Sequence, residues 1–170
     1  MIWKVKVPLK ICNFIWRLLH DSLPTFLTLK NRGIYVQSSC PLCLEEDESP
    51  SHLFLFFPFS RAIWHGSSID KHISNFTYMS IVQCVGQILQ LHNDMEQNNM
   101  LYLQGVFVTL WTIWTHRNLV VHEGKHPNPM EITLIAQSLT CKYNEAYSNC
   151  STPSYRKSDH LNLNKLPEKP

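Results

Sequence analysis

Three residues of this sequence have the types and the spacing of a metal site. Cys40 and Cys43 stand in a Cys-Pro-Leu-Cys turn, and His52 follows after eight intervening residues. A tight turn can direct two thiolates to the same side, and an imidazole at the start of the next helix can reach the same ion. Cysteine sulfur and histidine nitrogen are the ligands that structural zinc sites use. The spacing therefore predicts a Zn2+ site at Cys40, Cys43 and His52.

This ligand set is incomplete, because structural zinc sites use four protein ligands. The next cysteine is Cys84, and His65 lies thirteen positions after His52, which is about 20 Å along a straight helix. His20 or Cys12, brought in from the first helix, are weaker alternatives. A redox role for the two thiols is disfavoured, because no strand–helix context of the thioredoxin type precedes them.

Hydrophobic periodicity predicts that helices position these residues. Apolar residues recur at helical spacing in four stretches, 8–20, 76–91, 98–122 and 132–146. A short helix is expected between Pro24 and Gly33, and another from His52 to about His65 with a kink or restart at Pro58. No alternating strand pattern occurs. The predicted fold is therefore mainly α, with several amphipathic helices around a zinc-knuckle turn and little or no sheet.

Charge is unevenly distributed along the 170 residues, of which 44% are hydrophobic and 16% charged, with a net charge of +2. Residues 1–40 contain six Lys or Arg against one acidic residue, whereas residues 45–48 are all acidic. We interpret the acidic run as an exposed turn. Lys10, Arg17 and Arg32 are candidate contacts to RNA or DNA phosphates, and a solvated helix surface is the alternative interpretation.

Aromatic and histidine side chains add weaker signals. The chain has five tryptophans, which could stack on unpaired bases, but four of them stand at helical spacing among apolar neighbours, which favours core packing. The histidines outside the ligand set are scattered, so we expect them at the surface. Arg117 and Asn118 are candidates to tie a helix end to a neighbour by hydrogen bonds.

Membrane and secretion signals are weak in this sequence. The longest uncharged apolar stretch, 100–114, has 15 residues, whereas a bilayer span needs about 20. Lys10 interrupts any signal-peptide core. We therefore expect an intracellular protein, with the nucleus included, that has no membrane partner and no small-molecule substrate, although a protein partner is compatible with its low charge.

A series of landmarks makes residues 1–66 similar to the zinc-binding domain attached to the reverse transcriptases of plant non-LTR retrotransposons. The landmarks are Val7 to Ile11, Phe14 to Leu18, Leu23 to Thr25, Leu29, Arg32 to Ile34, Cys40 to Cys43, Glu48-Ser49, His52 to Phe54 and Trp64. The resemblance implies that Cys40, Cys43 and His52 are zinc ligands. It also implies a fourth ligand, a cysteine five residues after the histidine, and Phe57 stands at that position.

The stretch Leu110 to Asn118 resembles the helical segment that follows that domain and precedes a ribonuclease H-like domain. The resemblance implies a zinc-binding domain over residues 1–66, a helical segment over 67–147 and a disordered tail over 148–170. We expect a truncated copy that lacks the polymerase and ribonuclease H-like domains and is not an enzyme. The predicted function is a non-catalytic, zinc-binding, nucleic-acid-associated module. The alternative is a degenerate, metal-free helical remnant that acts through protein–protein association.

Overall fold

A computed structural model of the chain describes residues 2–67, 79–91, 97–126 and 128–149. Most of these residues are helical, and within these ranges the only β-type pairing is an isolated antiparallel bridge between Ser39 and Asp47. The mainly α fold predicted from the sequence is confirmed. None of the described helices combines the length and the apolar character needed to cross a bilayer.

Within the described ranges the chain forms six α-helices. They are α1 (Leu9–Leu19), α2 (Phe26–Asn31), α3 (Pro58–His65), α4 (Ile81–Leu91), α5 (Gln97–Glu123) and α6 (Pro129–Asn149). A 3₁₀ turn, Ile2–Lys4, precedes α1, and a π-helical turn, His52–Phe56, leads into α3. The four periodic stretches of the sequence coincide with α1, α4, α5 and α6, although residues 76–78 lie outside the described residues.

Local chemistry explains where the short helices begin and end. Thr25 caps α2 by accepting the N–H of Thr28 at its hydroxyl, 3.4 Å away, and Gly33 follows the helix with a φ of +80°, where glycine is favoured. Phe57 is extended, with φ −62° and ψ 131°, as a residue before proline prefers. Pro58 then begins α3, so the predicted restart at this proline is confirmed.

The centre of the fold is α5, which packs against both α1 and α6. Every residue from Leu103 to Leu110 is buried, as expected of a helix surrounded by neighbours. The Phe14 ring of α1 lies 5.4 Å from Trp111 and 6.2 Å from Trp114, measured between ring centroids. These contacts place α1 directly on α5.

One hydrophobic core runs from Val5 to Ala136. It includes residues before and after residue 66. Residues 2–66, called the metal-binding segment because they contain the three candidate ligands, therefore pack against the later helices. The domain boundary at residue 66 stays a prediction. Most of the tail predicted for 148–170 lies outside the described residues.

Candidate metal centre

The two cysteines of the predicted site lie in a tight turn closed by backbone hydrogen bonds. The Cys40 N–H donates to the carbonyl oxygen of Glu46 at 2.7 Å, and the Leu44 N–H donates to the carbonyl oxygen of Cys40 at 2.8 Å. Leu44 has a φ of +62°, so the chain reverses there in the left-handed conformation. As a result, the sulfurs of Cys40 and Cys43 lie within 4.8 Å of each other.

The start of the π-helical turn brings His52 to the two cysteines. Its backbone N–H donates to the Ser49 hydroxyl at 3.0 Å, in the manner of a helix cap. His52 Nε2 lies 3.5 Å from Cys43 Sγ, and Cys40 Sγ lies within 4.8 Å of both atoms. Usual zinc bond lengths separate a sulfur and a nitrogen ligand of a tetrahedral ion by about 3.6 Å. The three side chains therefore fit three corners of such a site.

Two of the three candidate ligands are buried away from water. Cys40 is fully buried and His52 is 6% exposed, whereas Cys43 is half-buried. Burial raises the pKa of the Cys40 thiol to about 11, although the backbone N–H groups of Leu42 and Cys43 hydrogen-bond to its sulfur and act in the opposite direction. N–H donors of this kind stabilise a thiolate, which is the form that binds a metal.

A carboxylate outside the ligand set touches the other ring nitrogen of His52. Glu46 Oε2 lies 2.9 Å from His52 Nδ1, but the contact is not aligned as a hydrogen bond, so we describe it as an electrostatic contact. A carboxylate at this nitrogen favours the tautomer with a proton on Nδ1, which leaves Nε2 available to a metal. The sequence does not indicate this role, because nothing among the acidic residues 45–48 distinguishes Glu46 from its neighbours.

Phe57 stands at the position where the resemblance implies a fourth ligand. It is 8% exposed, and its ring centroid lies 5.4 Å from that of His52. It also stacks on Phe59 at 5.8 Å, and Phe59 stacks on His116 at 5.7 Å. A phenyl ring supplies no ligand atom to zinc, so Phe57 contributes packing in place of coordination.

No other histidine, cysteine or carboxylate in the described ranges joins the three-ligand cluster. The weaker alternatives that the sequence offered for a fourth ligand do not take part; they are Cys12, His20 and His65. Among the described residues the site therefore has three candidate protein ligands and no donor for the fourth corner.

The acidic run is not a single exposed turn, and that expectation was wrong for Glu48. Residues 45–47 are exposed, whereas Glu48 is fully buried. Its carboxylate forms two hydrogen bonds of 2.6 Å with Arg117, from Nε to Oε1 and from Nη2 to Oε2. Oε2 also accepts the backbone N–H of Phe26 at 2.7 Å. A buried carboxylate is tolerated only with partners of this kind.

The Arg117 side chain connects the metal-binding segment to α5. Its guanidinium lies 4.6 Å from the centroid of the Phe26 ring and 5.2 Å from that of Trp114, and Nη1 donates to Asn118 Oδ1 at 3.1 Å. Glu48 precedes the ligand histidine by four residues, so this ion pair holds the chain between the ligands. The sequence indicated that Arg117 ties its helix to a neighbour by hydrogen bonds. It did not indicate the partner, Glu48, which is 69 residues away along the chain.

The three candidate phosphate contacts are all exposed. Arg17 Nη2 and Arg32 Nη2 donate to the carbonyl oxygens of adjacent residues, Ser22 at 3.3 Å and Asp21 at 3.0 Å. Lys10 Nζ lies 5.7 Å above a tryptophan ring of α5. The guanidinium groups of Arg17 and Arg32 therefore both contact the turn after α1, whereas the Lys10 ammonium lies against a ring of α5.

His116 is buried, which corrects the expectation that histidines outside the ligand set lie at the surface. It is 2% exposed, and its Nε2 has no hydrogen-bond partner. Burial lowers its pKa, the positive charge of Lys125 lowers it further, and Glu131 acts in the opposite direction. Protonation of this ring is therefore less favourable in the folded protein than in the unfolded chain.

We expect the free energy of unfolding to fall as the pH is lowered below about 6.5, the pKa of an unperturbed histidine. Below that pH, His116 binds a proton in the unfolded chain but not yet in the folded protein, because its folded-state pKa is lower. The free energy of unfolding therefore decreases until the pH reaches the folded-state pKa. His116→Phe should lose less stability than wild type between pH 7.5 and 5.5 in urea titrations with a chelator. His122→Gln, an exposed control on the same helix, should follow wild type. Identical pH dependence in wild type and His116→Phe would contradict this assignment.

Comparison with known protein families gives a match over the segment that contains the three candidate ligands. Residues 1–64 match the family described as zinc-binding in reverse transcriptase. The match spans 64 of the 170 residues and contains all three candidate ligands and Phe57. The resemblance to a reverse transcriptase zinc-binding domain is confirmed over these residues. No curated protein and no solved structure matches the chain.

Proposed function

We propose that this chain is a non-catalytic, zinc-binding and nucleic-acid-associated module derived from the reverse transcriptase of a plant non-LTR retrotransposon. One observation carries the proposal. Cys40, Cys43 and His52 converge within the segment that matches zinc-binding domains of reverse transcriptase. Residues 1–66 are the proposed zinc-binding domain, and residues 67–147 are the helical segment that accompanies it.

The residues present fit a zinc ion at three corners of a tetrahedron. Cys40 Sγ, Cys43 Sγ and His52 Nε2 would hold it, and zinc bound there supplies a cross-link between the cysteine turn and the π-helical turn. Zinc binding to such a site adds to folding stability, because the unfolded chain does not hold the ligands together. With three protein ligands the fourth position is open to water, so we expect weaker binding than at a four-ligand site.

Charge supports association with nucleic acid. All six Lys and Arg residues of the first 40 positions are exposed, and a single acidic residue opposes them. Among them are the three candidate phosphate contacts, Lys10, Arg17 and Arg32. Side chains of this kind neutralise phosphates and release counterions, which makes binding strongly dependent on salt.

Metal content tests the zinc site directly. Wild-type protein purified without chelator should contain about one zinc per chain, as expected for a single site, and Co2+ should give the absorption bands of a thiolate-ligated tetrahedral ion. Cys43→Ser should remove the metal and the bands, because a hydroxyl is a poor zinc ligand. Cys141→Ser is the matched control, since Cys141 is an exposed free cysteine of α6.

Two results would contradict the zinc proposal. One is wild-type protein that is folded and binds neither zinc nor Co2+. The other is an equal loss of metal in Cys43→Ser and Cys141→Ser, which would show that the metal is bound nonspecifically by thiols.

A second candidate function is a metal-free helical protein that acts through protein–protein association. The Phe57 ring at the fourth ligand position favours it, and so do two exposed apolar residues one turn apart on α6, Met130 at 67% and Leu134 at 58% exposure. Sedimentation of the chelated protein distinguishes this candidate. A folded, metal-free chain that forms a dimer or larger assembly would support it over the zinc module.

A further inference from the structure

The solvent-facing side of α1 carries an unusual set of side chains. Its buried side consists of apolar residues that pack into the core. The exposed positions of the helix and of the residue that follows it are Leu9, Lys10, Asn13, Trp16, Arg17 and His20. A surface helix normally places polar residues there, but Trp16 is 44% exposed. The expectation of core packing is wrong for Trp16, although it holds for Trp64 and Trp114, which are buried.

The Trp16 ring is held in place on one side by His20. The two ring centroids lie 4.4 Å apart, with 31° between the ring planes. His20 Nδ1 donates to the carbonyl oxygen of Trp16 at 2.8 Å, which orients the imidazole over the last turn of the helix. The pair therefore forms a fixed aromatic surface that is open to solvent.

Two guanidinium groups are anchored at the turn that follows this aromatic pair in the chain. Arg17 Nη2 donates to the Ser22 carbonyl oxygen and Arg32 Nη2 donates to that of Asp21, so both are anchored at the turn that immediately follows His20. Neither has a carboxylate partner within ion-pair distance among the described residues, and both side chains are exposed. The turn thus presents two positioned positive charges and one carboxylate, that of Asp21, which forms an ion pair with neither, so the net local charge is positive.

We infer that Trp16 and His20, flanked by Arg17 and Arg32, form the base-stacking surface of a single-stranded nucleic-acid site. Proteins that bind single strands combine aromatic rings that stack on bases with cations that contact phosphates. A duplex offers its phosphates but keeps its bases stacked internally, so the exposed tryptophan selects unpaired strands. The local positive charge favours this ligand over an apolar protein surface. This inference deepens the nucleic-acid association proposed above and rests on it.

Fluorescence anisotropy with a labelled 12-nucleotide U-rich RNA at about 50 mM salt tests the inference on the zinc-loaded chain. Trp16→Ala should weaken RNA binding about tenfold or more, the effect of losing one stacked base. Trp16→Phe should bind RNA with an affinity between those of Trp16→Ala and wild type. Leu134→Ala, which shortens an exposed apolar side chain of α6, is the control and should bind as wild type does. A 12-base-pair duplex should bind wild type more weakly than the single strand.

Salt dependence separates the roles of the aromatic and charged residues. Arg17→Ala and Arg32→Ala should each reduce the slope of log affinity against log salt by about 0.7, the value for one phosphate contact on a single strand. Trp16→Ala should leave the slope unchanged, and Arg61→Ala, at an exposed arginine of α3, should change neither slope nor affinity.

The outcomes distinguish this inference from the proposed function. If the wild-type chain binds no oligonucleotide at this salt concentration, the nucleic-acid association fails and the inference fails with it. If wild type binds but Trp16→Ala, Arg17→Ala and Arg32→Ala bind equally well, the association stands and the site on α1 is wrong. Unchanged Co2+ spectra and circular dichroism of the variants confirm that each loss is local.

Discussion

Replacing Arg117 with leucine is expected to lower the free energy of unfolding by about 3–5 kcal/mol, the usual effect of removing one partner of a buried ion pair. The Glu48 carboxylate is fully buried and would lose both of its 2.6 Å hydrogen bonds to the guanidinium. The N–H of Phe26 would remain as a partner, and it cannot neutralise the charge. Urea unfolding at pH 7, followed by circular dichroism, measures the effect.

Two controls show whether burial causes the loss. Lys125 and Glu131 form an ion pair of the same 2.6 Å length with both side chains more than a third exposed, and Lys125→Leu should lower stability far less because water screens the pair. Glu48→Leu combined with Arg117→Leu removes both charges and should be less destabilising than the sum of the single changes. A loss in Arg117→Leu no larger than in Lys125→Leu would contradict the argument.

The same ion pair also bears on the metal centre. The Glu48 backbone N–H donates to the Ser38 carbonyl oxygen at 2.7 Å, two residues before Cys40, and the Glu48 side chain is anchored on α5. Loss of Arg117 should therefore loosen the chain that holds the ligands and weaken zinc binding. The match to known zinc-binding domains ends at residue 64, yet this anchor lies well beyond it.

Phe57→Cys is expected to raise zinc affinity on the order of a hundredfold or more. Zinc binding to four-ligand structural sites is worth roughly 10–16 kcal/mol, so an equal share for each ligand is about 2.5–4 kcal/mol. A factor of one hundred in affinity corresponds to about 2.8 kcal/mol. The same change removes a buried ring and should lower the stability of the metal-free protein by about 3 kcal/mol. Competition titrations with a zinc-binding dye and urea unfolding measure the two effects.

Phe57→Ser is the matched control, because it leaves nearly the same cavity and supplies no thiolate. It should destabilise the protein both with and without zinc, whereas the cysteine variant should recover stability only when zinc is present. An affinity of Phe57→Cys equal to that of wild type would show that this position does not face the ligand cluster.

The sequence by itself determined the features that depend on neighbouring residues. The apolar spacing of α1, the glycine after α2, the restart at Pro58 and the turn between Cys40 and Cys43 all follow from contacts within a few positions along the chain. The convergence of His52 on the cysteines was also predicted, because only eight residues separate it from Cys43.

The tertiary structure alone decided which side chains are buried and which distant groups meet. Glu48 belongs to a run of acidic residues, and only its ion pair with Arg117 distinguishes it from them. His116 is one of several histidines scattered along the chain, and only packing shows that it is buried beside Phe59. Burial depends on the segment that covers a residue, and that segment can lie anywhere in the chain, so spacing within one helix does not contain this information.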